Sequence, residues 1–159
     1  MDLTTTKINW YGEICKNESK LTEAIEYFNK KYEDYSPVIK LDGNKLSRES
    51  AELPYIVSVC HSDWSILEAI SEYFDIKLKA AKAKHYKKYL ETYARQLSSN
   101  DVKNYIEGEQ EVVALQAILN EIRLVRNKYV GLTKALESKN WQISNLTKIK
   151  SSGLDLVEF

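Results

Sequence analysis

From Ile76 to Arg95 the chain reads IKLKAAKAKHYKKYLETYAR, and here residue type and spacing point most directly to chemistry. Lys77, Lys84, Lys88 and Arg95 step by seven, four and seven, which places them on one stripe of an α-helix. Lys87 lies beside that stripe, and Lys79 and Lys82 flank it. Tyr86, Tyr89 and Tyr93 are interleaved at three- and four-residue spacing. Cations neutralise phosphates and release their counterions, while tyrosine faces stack on unpaired bases. The combination suits single-stranded nucleic acid. The competing expectation is a solvated basic face whose tyrosines sit in a helix–helix seam. A second basic block, Arg123, Arg126, Lys128, Lys134, Lys139, Lys148 and Lys150, follows Glu107, Glu109 and Glu111. Acids early and bases late in one helix complement its dipole, which accounts for part of that block without a ligand.

Other chemistry is sparse. His61-Ser62-Asp63 contains three triad residue types, but neighbours on a helix point about 100° apart and cannot line up in a relay. His85 has no second metal ligand at a recognisable spacing, and a packed histidine is expected there. Cys15 and Cys60 stand far apart, and the apolar neighbours of Cys60 predict a buried thiol. No glycine-rich phosphate loop, CxxC or paired-acid motif occurs. The expectation is a protein that is not an enzyme and carries neither metal nor cofactor.

The elements that hold these residues follow from what is missing. Between Tyr55 and Phe159 there is no proline and only three glycines. Such a stretch, rich in Leu, Ala, Lys, Glu and Gln, is built to be helix. The formal net charge is zero, yet residues 76–100 hold seven bases against one acid, 101–122 one against five, and 123–150 seven against one. A uniformly basic nucleic-acid binder is therefore excluded and a polarised one is not. No apolar run spans a membrane and no signal peptide is visible, which predicts a soluble, cytoplasmic chain.

The chain is expected to be mainly α: a small N-terminal α or α+β region (1–50), a long antiparallel helical hairpin (51–150) and a flexible acidic tail (151–159). In the first region Ile8–Tyr11 reads as a strand or a helical turn, and Val38–Leu41 as a short extended segment. A helix over Lys20–Tyr35 would start from a Ser19 cap. The first long helix should begin near Ala51, with Pro54 in its first turn, and run to about Leu97. Its seam is Cys60, Trp64, Leu67, Ser71, Phe74, Leu78, Ala81 and His85. After a break at Ser98–Asp101, a second long helix reaches about Lys150. Its seam of Ile118, Ile122, Val125, Tyr129, Leu132, Leu136, Ile143 and Leu146 is expected to mediate oligomerisation, with Lys139 in the one missing position.

Leu53-Pro54, the Lys84/Tyr86/Lys87/Lys88/Tyr89 block, Glu109-Gln110-Glu111-Val112 and the run Leu136 to Asn145 occur in an order that resembles bacteriophage recombination mediators of the UvsY type. The resemblance covers about residues 52–153. It implies a non-enzymatic accessory protein, a homo-oligomer assembling into a ring. Such a protein binds single-stranded DNA and loads a RecA-like recombinase in place of single-strand-binding protein, within an infected host cell. DNA contacts are expected at Lys77, Lys84, Lys87, Lys88, Tyr89, Arg95 and Lys139. The chain departs from the family at Ser144, where lysine is usual, in its longer N-terminus and in its neutral charge, all of which lower the implied DNA affinity. Two alternatives follow from the residues themselves. One is a phage structural or scaffolding protein whose hairpins mediate only assembly, and the other an inhibitor that binds a host protein through its acidic N-terminal region.

Overall fold

The structure, a computed structural model, describes residues 8–92 and 98–153. It is mainly α, with no strand among the described residues. α1 spans Trp10–Lys16, α2 Leu21–Tyr35, α3 Leu46–Thr92, α4 Ser99–Glu107 and α5 Gln110–Ser151. Short 3₁₀ turns at Glu18–Lys20, Ser36–Ile39 and Gly43–Lys45 join the early helices.

Several local expectations are decided by capping chemistry. Of the two readings of Ile8–Tyr11 the helical one holds, because the Asn9 side chain accepts from the Gly12 amide at 3.0 Å and starts α1 at Trp10. A Cβ on Gly12 would meet Asn9 Nδ2 at 2.7 Å, so the cap needs glycine there. Asn17, not Ser19, caps the next turn by accepting from the Ser19 amide at 3.1 Å. Val38 is not extended but part of a 3₁₀ turn opened by Pro37, whose fixed φ suits the first position of a turn. α3 begins at Leu46 rather than near Ala51, which puts Pro54 inside the helix, where it removes one backbone donor. Ser98 caps α4 by accepting from the Asp101 amide at 3.2 Å, and Gly108 closes it. α5 ends at Ser151, and the turn after it passes through Gly153, whose φ of 72° is open to glycine at little cost. Residues Asp155 to Phe159 of the expected tail lie outside the described residues.

The chain divides into two compact units, and each draws on both long helices. The first takes the described residues up to Leu21 together with Leu67–Leu124. There α3 runs antiparallel to α5: Asp75 faces Arg123 at 3.6 Å, and His85 faces Glu111 at 3.0 Å. Its core is built from Leu67, Ile70, Phe74 and Leu78 of α3, Leu119 and Ile122 of α5, and Trp10 and Ile14 of α1. The second unit takes Thr22–Ile66 and the described residues from Val125 on. Here too the long helices are antiparallel, with Glu49 of α3 at 3.2 Å from Lys139 of α5. Phe28 packs edge-on against Tyr129, ring centroids 6.1 Å apart, and the Tyr129 hydroxyl donates to the Phe28 carbonyl at 2.8 Å. Each unit is thus a helical hairpin closed by a shorter helix.

The 4-3 seam of α3 is the buried one: Cys60, Leu67, Ser71, Phe74, Leu78, Ala81 and His85 are buried, while Trp64 is half-buried and its neighbour Asp63 is buried instead. The seam of α5 has the same fate. Ile122, Val125, Tyr129, Leu132, Leu136 and Ile143 are buried within the chain, while Ile118 and Leu146 are half-buried. Residues expected to recruit further copies therefore form the chain's own core, because α3 already covers the stripe that α5 would otherwise expose.

Candidate nucleic-acid interface

In the first unit the lysine block of α3 meets the acidic opening of α5. Lys84 Nζ lies 2.9 Å from Glu111 Oε2, and His85 Nε2 lies 3.0 Å from the same oxygen. His85 Nδ1 is 3.3 Å, and Lys88 Nζ 3.8 Å, from Glu109 Oε1, which also accepts from the Tyr89 hydroxyl at 2.9 Å. The hydrogen bond from Lys84 holds the Glu111 carboxyl below its ordinary range, and that from Tyr89 does the same for Glu109. The Tyr89 ring stacks on Tyr105 of α4, centroids 5.7 Å apart. Lys87 pairs with Glu91 one turn on, at 3.7 Å. Lys77 is bound to Glu18, which also accepts from the Tyr73 hydroxyl at 2.8 Å.

These contacts redistribute the expected site. Lys84, Lys87 and Lys88 are exposed, as the sequence suggests, but each has an acid beside it. Such pairs are worth about 0–1 kcal/mol at the surface and can be exchanged for a phosphate. Lys77 and Tyr89 are committed more deeply, one to Glu18 and the other to Glu109 and Tyr105. Arg95 lies outside the described residues. Lys139 is removed from the site altogether. It is 3% exposed, its ammonium donates to the Val38 and Lys40 carbonyls at 2.7 and 2.9 Å, and Glu49 stands 3.2 Å away. The backbone that leaves α2 points its carbonyls inward there, and a buried lysine satisfies them.

What the block itself does not offer, its neighbour does. Tyr86 is half-exposed and lines a cleft of about 510 Å³ with Ala83, Lys82, Lys103, Ile106 and Glu107. Lys82 and Lys103 have no ion-pair partner among the described residues. One aromatic ring thus shares a cleft with two cations, Lys82 of α3 and Lys103 of α4, and with one carboxylate, Glu107. Lys103 was invisible to spacing arguments, because it sits alone in an acidic band and α4 brings it to α3 only through the fold.

Among the described residues no three His, Cys, Asp or Glu side chains gather as a metal site, and no helix is long and apolar enough to cross a membrane. Comparison with protein-family models, with characterised proteins and with solved structures finds no match.

Proposed function

We propose that this protein is a non-enzymatic accessory protein that binds single-stranded DNA. The observation that carries this is the cleft that Tyr86 shares with Lys82 and Lys103, which have no ion-pair partner among the described residues, with Glu107 its one acid. A base can stack on the phenol while the two ammonium groups take the flanking phosphates. Lys84, Lys87 and Lys88 add cations whose surface pairs are weak enough to exchange. In the recombination mediators that the sequence resembles, such binding serves to load a RecA-like recombinase where single-strand-binding protein is displaced. We extend the same role to this chain.

Anisotropy titrations with a labelled single-stranded oligonucleotide test it. Affinity should fall steeply with salt, and Tyr86→Ala or the pair Lys82→Ala/Lys103→Ala should weaken binding more than Lys84→Ala does. No affinity at about 50 mM salt, where the electrostatic contribution is near its largest, sinks the proposal. Strand exchange by a RecA-like recombinase on DNA coated with single-strand-binding protein tests the loading role.

A second reading, protein–protein assembly alone, has one specific observation in its favour. On the side of α3 away from its buried seam, Ile76, Ala80, Ala83 and Leu90 follow at steps of four, three and seven residues and are exposed. Its signature is an oligomer, measured by light scattering, that is indifferent to DNA.

A further inference from the structure

Resting on the reading of a single-strand binder, we infer that the outer face of α5 in the second unit is a separate stacking site for single-stranded nucleic acid, centred on Trp141. The indole is 70% exposed, the most exposed large apolar side chain among the described residues. Exposing it in water is unfavourable, and an isolated tryptophan is amphipathic enough to stack on a base. Lys134 lies seven residues before it and Lys148 seven after, so the three share one stripe, each cation about 10 Å from the ring along the axis. Both lysines are exposed and have no ion-pair partner among the described residues. Beside Lys134, α3 and α5 border a groove of about 270 Å³ in which His61 and Trp64 meet edge-on, centroids 5.2 Å apart.

The chemistry of the stripe selects its occupant. A second copy would bring Lys134 and Lys148 against like charges, and Trp141 is the single large exposed apolar group on the stripe. That is far short of the roughly 800 Å² per partner that a stable interface buries. Duplex DNA keeps its bases stacked inside, where an indole on a helix surface cannot reach them. A single strand offers both an open base face and phosphates spaced along it. One group opposes the fit. Glu137, on the same face one turn before Trp141, presents a carboxylate to any phosphate held by Lys134.

Titrating a fluorescein-labelled thymidine oligonucleotide into the full chain, by anisotropy, tests the site. Trp141→Ala should weaken binding about tenfold, within the range that stacking contributes per base. Lys134→Ala/Lys148→Ala should reduce the slope of log affinity against log salt by about 1.4, two phosphate contacts on a single strand. Glu137→Gln should tighten binding. If wild type binds but Trp141→Ala and the double lysine variant bind equally well, the α5 site is wrong. The reading of a single-strand binder then stands or falls on Tyr86→Ala. If wild type does not bind, both fail together. Equal affinity for duplex, unchanged by Trp141→Ala, shows a basic face without stacking and overturns the site. A lower mass by light scattering for Trp141→Ala than for wild type identifies a second copy as the occupant and overturns it too.

Discussion

The two units use lysine in opposite ways to hold the same pair of helices. In the first, Lys84 and Lys88 reach across water-exposed ground to Glu111 and Glu109. In the second, the charges go inside. Lys31 clasps Asp63 at 2.7 Å, and Asp63 is 2% exposed beneath Tyr35, Cys60 and Tyr129. Burial, and then the Asp63 charge, pushes the Cys60 thiol up to about 11 and holds the Tyr129 phenol protonated well above its ordinary range. Lys139 closes the other end of that unit on two carbonyls and Glu49. A lysine in a basic band is therefore a ligand-facing group or a structural one according to its burial, which the band itself does not reveal.

The largest effect that could break this contrast is Lys139→Met. The substitution leaves the Val38 and Lys40 carbonyls without their donor, and the Glu49 carboxylate, which keeps the Asp42 amide at 3.2 Å, without the cation beside it. It should cost about 3 kcal/mol, the scale for breaking a buried ion pair. Urea denaturation measures it, and a loss below about 1 kcal/mol would place Lys139 among the exchangeable surface pairs. Lys31→Ala should be of similar size, since it leaves Asp63 charged and buried.

Next in size is Gly131→Ala, expected to stabilise by about 1 kcal/mol. Gly131 is exposed inside α5, and a Cβ there meets nothing within 4 Å, so no neighbouring helix requires the glycine. A thermal midpoint that falls instead would mean that something covers this outer face in solution, and the open surface ascribed to the second unit would be wrong.

The helical hairpin and its seams were legible because apolar spacing records which face is buried. From Cys60 to His85 the 4-3 alternation and the buried face coincide except at Trp64, which is half-buried beside the buried Asp63. What the alternation does not record is what covers it. Tyr129 and Leu136 read as a surface for other copies, yet they lie buried within the chain. Lys139 was misread for a related reason. Its position in the seam was visible, but the two carbonyls that make a lysine stable there come from residues 38 and 40, about a hundred positions away. Two asparagine caps went unread: Asn9, which opens α1 where a strand or a helical turn was expected, and Asn17, which takes the capping role expected of Ser19. The exposed Trp141 falls outside both seams, and periodicity alone gives it no role.

The smallest stability effects should come from the first unit. Lys84→Ala is expected to change stability by no more than about 0.5 kcal/mol, because its pair with Glu111 is solvated on both sides. Acid should separate the units more clearly than that substitution does. Glu109, Glu111 and Glu18 all have carboxyl pKa values lowered in the fold, by Tyr89, Lys84 and Lys77 respectively as the largest cause. A group whose folded pKa is depressed contributes stability above its unfolded value, and loses it as pH falls through the folded one. Their contribution is thus complete at neutral pH and disappears on acidification below the model-peptide value of 4.5. Glu109→Gln/Glu111→Gln should therefore lower the neutral-pH stability by the small amount that wild type loses on acidification, and flatten the loss below that pH. Hydrogen exchange, resolved by segment, should then show residues 67–92 and 98–124 losing more protection between neutral and low pH in wild type than in the variant. Equal acid sensitivity of the two proteins would show that the carboxylates at the start of α5 do not hold the lysine block of α3. Lys84 and Lys88 would then be as free as Lys82 and Lys103 to meet a phosphate.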